Sequence, residues 1–213
     1  MSPRKRLAMF EAFARDNPHP KGELEHSSPF ELLVAVVLSA QATDRSVNAA
    51  THDLFRRANT PAAIEALGEE GLCAYIRTIG LYRSKARNLI ALCRQLRERH
   101  GGQVPRTREE LEALPGVGRK TANVVLNIAF GEPCIAVDTH VFRVANRTGL
   151  AAGRNVREVE ERLLKAVPPA YLQHAHHWLI LHGRYVCKAR RPECWRCIVA
   201  RQCEYPDKVP APA

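Results

Sequence analysis

Four cysteines crowd into 17 residues near the end of the chain: Cys187, Cys194, Cys197 and Cys203, in the pattern C-x6-C-x2-C-x5-C. Thiolates this close together read as metal ligands before disulfide partners, and a total of seven cysteines argues against a fully paired framework. Spacing leaves two metals open. Structural zinc sites built from four cysteines usually use two C-x2-C pairs. One C-x2-C pair with singly spaced outer cysteines also suits a [4Fe–4S] cluster. Cys73, Cys93 and Cys134 stand alone and read as small buried hydrophobes.

The second reactive stretch is Leu114-Pro-Gly-Val-Gly-Arg-Lys120. Gly116 and Gly118 permit a tight turn with positive φ that leaves backbone N–H groups uncovered. Those groups fall at the start of the following helix, where free donors and the helix dipole bind an anion. A nucleic-acid phosphate, held without sequence preference by Gly116, Val117, Gly118 and Arg119, is the anion expected.

Lys120 falls in the first turn of that helix. The dipole disfavours its cation by roughly 0.3–1 kcal/mol, less than about one pKa unit. Moving an amine from about 10.4 toward about 8, where it could act as a nucleophile, needs burial or further cations. The other use of Lys120 is a phosphate contact. Asp138 follows 18 residues later, ahead of Thr139-His140. Its local reading is a helix N-cap. It makes catalytic sense beside an amine if it takes up a proton or faces a developing positive charge.

The elements that must position these groups are helical. Composition is that of a globular chain: 213 residues, 46% hydrophobic and 25% charged. The longest apolar run, Leu32 to Leu38, is seven residues, far from the roughly 18 of a membrane helix. The basic start, Met1 to Arg6, has no apolar segment after it, so a cytoplasmic protein without a signal peptide is expected. Thirty-two Lys and Arg against 22 Asp and Glu give +10, a balance that favours polyanionic partners. From Arg83 to Arg108 eight basic residues accompany one acid, Glu98, which predicts a phosphate-facing surface.

Helical periodicity dominates and strand signals are scarce, so the fold is expected to be all-α. Helices are predicted over 4–17, from Ser28-Pro29 to Leu38, from Thr43 or Asp44 to Arg57, and from Thr60-Pro61 to a break at Gly68. Further helices follow over 72–78, 84–100, from the Thr107–Glu110 capping box to Leu114, and over 119–130, with Gly131 as the stop. The remainder is read as helices over 141–147, 156–167 and 171–187, the cysteine loop, and a loose tail over 209–213. His174, His176, His177 and His182 lack metal-ligand spacing, and packing or hydrogen bonding is expected of them.

In combination and in order, Leu114–Lys120, Val137-Asp138-Thr139-His140 and the four-cysteine pattern resemble the helix-hairpin-helix DNA glycosylases. The resemblance spans about Leu7 to Cys203 and is nearest to the bacterial bifunctional glycosylase/AP lyases for oxidised pyrimidines. It implies two α-helical domains with DNA bound across their cleft. One is a six-helix barrel over 22–132 containing the hairpin; the other combines 1–21 with 133–213 and holds a [4Fe–4S] cluster. It implies Lys120 as nucleophile, Asp138 as catalytic carboxylate, and Cys187, Cys194, Cys197 and Cys203 as cluster ligands. Gln41 would enter the gap left by the extruded base, Ile79 and Leu81 would form a wedge loop, and His140 would face DNA. The hairpin would also hold a monovalent cation. The partner implied is double-stranded DNA with damaged pyrimidines or abasic sites, met by a monomer at the bacterial nucleoid. A monofunctional glycosylase of the same superfamily is disfavoured by Lys120, whose amine would have no lyase role there.

Overall fold

The computed structural model describes residues Met1–Pro212. Among them there are helices and no strands, as periodicity predicted. Ten α-helices follow in order: α1 (Pro3–Asp16), α2 (Pro29–Leu38), α3 (Asp44–Arg57), α4 (Pro61–Ile76), α5 (Tyr82–His100), α6 (Arg108–Glu112), α7 (Arg119–Phe130), α8 (Thr139–Thr148), α9 (Val156–Ala166) and α10 (Leu172–Tyr185). No helix among the described residues is long and apolar enough to cross a membrane.

The starts obey local chemistry. Ser2, Ser28, Thr43, Thr60, Thr107, Asp138 and Asn155 each accept an amide of the helix they open, which satisfies an otherwise orphaned donor. Pro29 and Pro61 sit in the first turn, where a missing N–H costs nothing. Gly131 closes α7 in the left-handed region at φ 72°. The helix predicted over 72–78 is instead the second half of α4, which runs through Gly68 with a kink (φ 66°, ψ 176°) that glycine tolerates. Helix α5 begins at Tyr82, ahead of Ser84, because Leu81 turns left-handed and serves as its N-cap. Residues 209–212 carry no regular structure, and Ala213, the end of the predicted tail, lies outside the described residues.

The chain divides into two compact units, Met1–Gly22 with Glu132–Ala213, and Glu23–Gly131. In the second, α2 is apolar apart from Glu31 and buried from Phe30 to Leu38, as befits a helix at the centre of its unit. It packs against α3, α5 and α7. In the first, Met9, Phe10 and Phe13 of α1 meet Val141 and Val144 of α8, Leu163 of α9, and Trp178 of α10. Trp178 Nε1 donates to the Asn17 carbonyl at 2.8 Å, so the indole is packed and its polar edge satisfied.

Candidate functional site

The hairpin between α6 and α7 is anchored from beneath. Leu111, Leu114 and Val117 are buried. The Leu114 carbonyl accepts the Val117 amide at 3.1 Å, and the Ala113 carbonyl accepts Gln95 Nε2 of α5 at 3.3 Å. Arg108 Nε donates to Asn123 Oδ1 at 2.9 Å, tying α6 to α7. The two glycines differ. Gly116 has φ 79° and lies against Asn88 of α5. Gly118, the N-cap of α7, is extended at φ −101°, so the positive φ expected of both belongs to Gly116 alone.

Gly118 brings no side-chain acceptor to the first turn of α7, and its surroundings are open. Val117 is a correction: its side chain is buried and its amide is bonded to Leu114, so it shapes the turn and does not face an anion. Arg119 lies 3.7 Å from Glu112, an ion pair across the turn. Such a half-exposed pair is weak enough for a phosphate to displace. Lys120 is exposed in the first turn. The burial that a nucleophilic amine would need is therefore not present at Lys120.

Two loops of the same unit carry left-handed residues that are not glycine: Gln41 (φ 55°) and Leu81 (φ 61°). Gln41 is exposed, and Leu81 is 63% exposed. Ile79 is a second correction. It is 2% exposed, and its amide donates to Ile76. Its side chain fills the core beneath the loop, so Leu81 is the residue of that loop that meets solvent. The basic stretch is a third. Lys85 is buried, Arg94 and Arg97 pair with Glu65 of α4, and Arg87 lies 3.9 Å from Glu69 of α4. Three of the eight basic residues thus pair with two acids of the preceding helix, and the stretch keeps a positive excess. The Arg97 guanidinium beside Glu65 holds its carboxyl below the usual range.

In the other unit, Asp138 caps α8, its Oδ1 accepting the Val141 amide at 2.8 Å. His140 is half-buried and accepts from Arg143 Nη2 through Nδ1 at 3.2 Å. Arg143 also donates to the carbonyls of Gly183 (2.7 Å) and Cys187 (3.0 Å). Arg147, one turn on, donates to the carbonyls of Lys188 and Ala189 at 2.7 and 3.0 Å. Helix α8 therefore carries Asp138 at one end and grips the start of the cysteine loop with two arginines. Sequence reading missed both; their i, i+4 spacing after Asp138-Thr139-His140 was the available signal. It also missed Gly183, where a Cβ would stand 2.9 Å from His140 Cβ, so that only glycine allows α10 this close to α8. His176 Nδ1 donates to the Ala136 carbonyl at 3.0 Å, a packing role as expected.

Cys187, Cys194, Cys197 and Cys203 line one cavity, with Arg147 and His182 among the other walls. All four are free thiols. Burial pushes Cys197 up to about 11 and raises Cys203 as well, so a metal must displace their protons. The His182 ring nitrogen Nε2 lies 3.6 Å from Cys197 Sγ. Two N–H donors are already aimed at sulfur: Arg147 Nη1 lies 3.6 Å from Cys187 Sγ and the Tyr205 amide 3.5 Å from Cys203 Sγ. Such donors stabilise ligand thiolates. Four cysteine thiols around one cavity are a donor set that fits an iron–sulfur cluster.

Comparison with known proteins gives a consistent family. A model for the HhH-GPD superfamily of base excision DNA repair proteins matches residues 34–169. Endonuclease III of Haemophilus influenzae is 61% identical over 209 residues, covering 98% of this chain and 99% of that one. Endonuclease III of Escherichia coli (strain K12) is 62% identical over 209 residues, with the same coverage of each. The solved structure of a trapped endonuclease III–DNA covalent intermediate superposes with a TM-score of 0.89 at 47% identity, covering 96% of each chain.

Proposed function

Because the chain belongs to the HhH-GPD superfamily of base excision DNA repair proteins, within the endonuclease III family, we infer that it is a bifunctional DNA glycosylase and AP lyase. Its substrate is double-stranded DNA carrying oxidised pyrimidines or abasic sites. It releases the damaged base, then breaks the strand 3′ to the lesion by β-elimination. The observation that carries the reading is Lys120, exposed at the head of α7 directly after a hairpin braced against α5.

The chemistry follows from the residue types. A base within the stack hides its sugar, so the damaged nucleotide must leave the duplex. The neutral amine of Lys120 attacks C1′, and the base departs with the electron pair of the glycosidic bond. Asp138 takes up the proton that the amine sheds. The C1′–O4′ bond then opens as O4′ takes up that proton, leaving a protonated imine that draws electrons from the sugar; a proton leaves C2′, and the C3′–O bond breaks with the phosphate as leaving group. Water then releases Lys120. Because Lys120 meets solvent, the drying that its amine requires comes from bound DNA. Gln41 and Leu81, on exposed left-handed loops, fill the space of the extruded nucleotide, and Gly116, Gly118, Arg119 and His140 hold backbone.

Cys187, Cys194, Cys197 and Cys203 would hold a [4Fe–4S] cluster, which would supply a cross-link that shapes the loop gripped by Arg143 and Arg147. A monovalent cation at the hairpin belongs to the same reading. It would use the second lone pair of carbonyls such as that of Leu114. The protein acts as a monomer in the cytoplasm, at the nucleoid where its substrate lies. Six-helix character for residues 22–132 and a cluster domain formed by 1–21 with 133–213 complete the proposal.

Borohydride trapping on a duplex with one thymine glycol tests it. Wild type should form a covalent adduct and Lys120→Ala none. Bound DNA without an adduct from wild type would remove the Schiff base from the mechanism.

A further inference from the structure

Lys85 has no part in the chemistry above, yet it is the buried lysine of its unit, 7% exposed on the first turn of α5. Its Nζ donates to the Leu38 carbonyl at 2.9 Å and to the Ala40 carbonyl at 2.6 Å. Leu38 ends α2, whose last carbonyls have no partner within the helix. A cation there also meets the negative end of the helix dipole. Ala40 immediately precedes Gln41. Leu81 is the N-cap of α5, and its carbonyl accepts the Lys85 amide at 3.0 Å as the first bond of that helix. The two loops lie near each other, since a Cβ added to Gly80 would stand 3.9 Å from the Gln41 carbonyl oxygen.

Gln41 and Leu81 are the positive-φ residues other than glycine among those described. Side chains held in that region persist where surrounding structure over-determines them, and they gather at functional sites. Both flank bonds made by one residue. Burial also lowers the affinity of the Lys85 amine for its proton, a cost carried where shorter or apolar side chains would fill the space.

We propose that Lys85 is a positioning residue: its side chain ties the Gln41 loop to the first turn of the helix that Leu81 opens, so that the two exposed residues form one preformed unit that takes the place of an extruded nucleotide. The inference rests on the proposed glycosylase reading and deepens it. Removal of the ammonium frees the Ala40 carbonyl, and the Gln41 loop relaxes away from its left-handed turn. Nucleotide extrusion from a duplex then suffers. Cleavage of an abasic site in a single strand, where no partner base need be parted, suffers far less.

The experiment compares wild type with Lys85→Met on a thymine glycol duplex and on a single-stranded abasic oligonucleotide. A duplex carrying aminopurine opposite an abasic analogue reports unstacking by its fluorescence. Lys85→Met should lose about 100-fold on the duplex, the scale of a misplaced positioning group, with a much smaller loss on the single strand. It should brighten aminopurine less at saturation, and Lys85→Arg should restore both. Equal losses on the two substrates, or none on the duplex, overturn the proposal. Should Lys85→Met not fold, Lys85→Gln carries the same comparison with the same outcomes. Inactivity of wild type on both substrates would instead overturn the glycosylase reading itself.

Discussion

Gly116 lies so close to Asn88 that a Cβ added to it would stand 3.1 Å from Asn88 Cβ and 3.2 Å from Nδ2. It combines that approach with φ 79°. Gly118, two residues on, has neither constraint. Gly116→Ala should therefore destabilise the fold by about 1–2 kcal/mol, the cost of a left-handed side chain, and more if Asn88 cannot yield. Gly118→Ala should leave stability within about 0.5 kcal/mol and still weaken duplex binding, because its methyl would stand where the proposed phosphate contact meets backbone. Thermal melts beside anisotropy titrations separate the two. Unchanged duplex affinity in Gly118→Ala would remove that glycine from the contact surface.

Asp138 caps α8, and the catalytic role proposed for it is separable from that one. As a cap it needs an oxygen acceptor for the Val141 amide, which asparagine supplies equally well. As a proton acceptor it needs a carboxylate. Asp138→Asn should thus keep wild-type stability and lose about 100-fold or more in single-turnover base release. Asp138→Ala should lose the activity and, in addition, about 1 kcal/mol of stability. If Asn and Ala variants were equally destabilised, the capping bond would not matter. If Asn kept full activity, the carboxylate would be structural only.

Burial, with a smaller push from His174, drives His177 down to about 4. Its Nδ1 is buried without a hydrogen-bond partner among the described residues. An unfolded histidine titrates near about 6.5. The unfolded chain therefore binds more protons between those values, and folding stability falls as pH drops through that window. This single group should cost about 2 kcal/mol between about pH 7 and about pH 5. Urea unfolding at both pH values should show a smaller acid loss for His177→Gln than for wild type. Parallel losses would place the acid sensitivity elsewhere.

The cysteine loop makes an optical prediction. Protein purified without oxygen should be brown and should contain iron and inorganic sulfide. Cys197→Ser, at the sulfur nearest His182, should lose most of that absorption. Colourless wild-type protein with stoichiometric zinc would replace the cluster by a mononuclear site.

Much of the fold was written locally. Ser28-Pro29, Thr107 to Glu110 and Gly131 set helix ends through bonds within a few residues, and such bonds depend on residue type and spacing alone. The alternation that announced helices is likewise a nearest-turn property. The ordered motifs pointed to the family, and the whole-chain comparisons agree.

Tertiary structure decided what those residues face. Ile79 and Leu81 are separated by a single glycine, yet one is core and the other surface, because Leu81 turns left-handed beside the loop that Lys85 holds. The basic run over 83–108 looked unopposed in the chain, but Glu65 and Glu69 of α4 meet Arg94, Arg97 and Arg87 across a helix pair. Gly116 and Gly118 are the same residue type in the same motif, and the neighbour that distinguishes them, Asn88, lies on another helix. The arginines that join Asp138's helix to the cysteine loop find carbonyls some forty residues away. Each of these depends on contact between segments distant in sequence, whose partners exist only after the chain has packed; spacing along the chain carries no term for them.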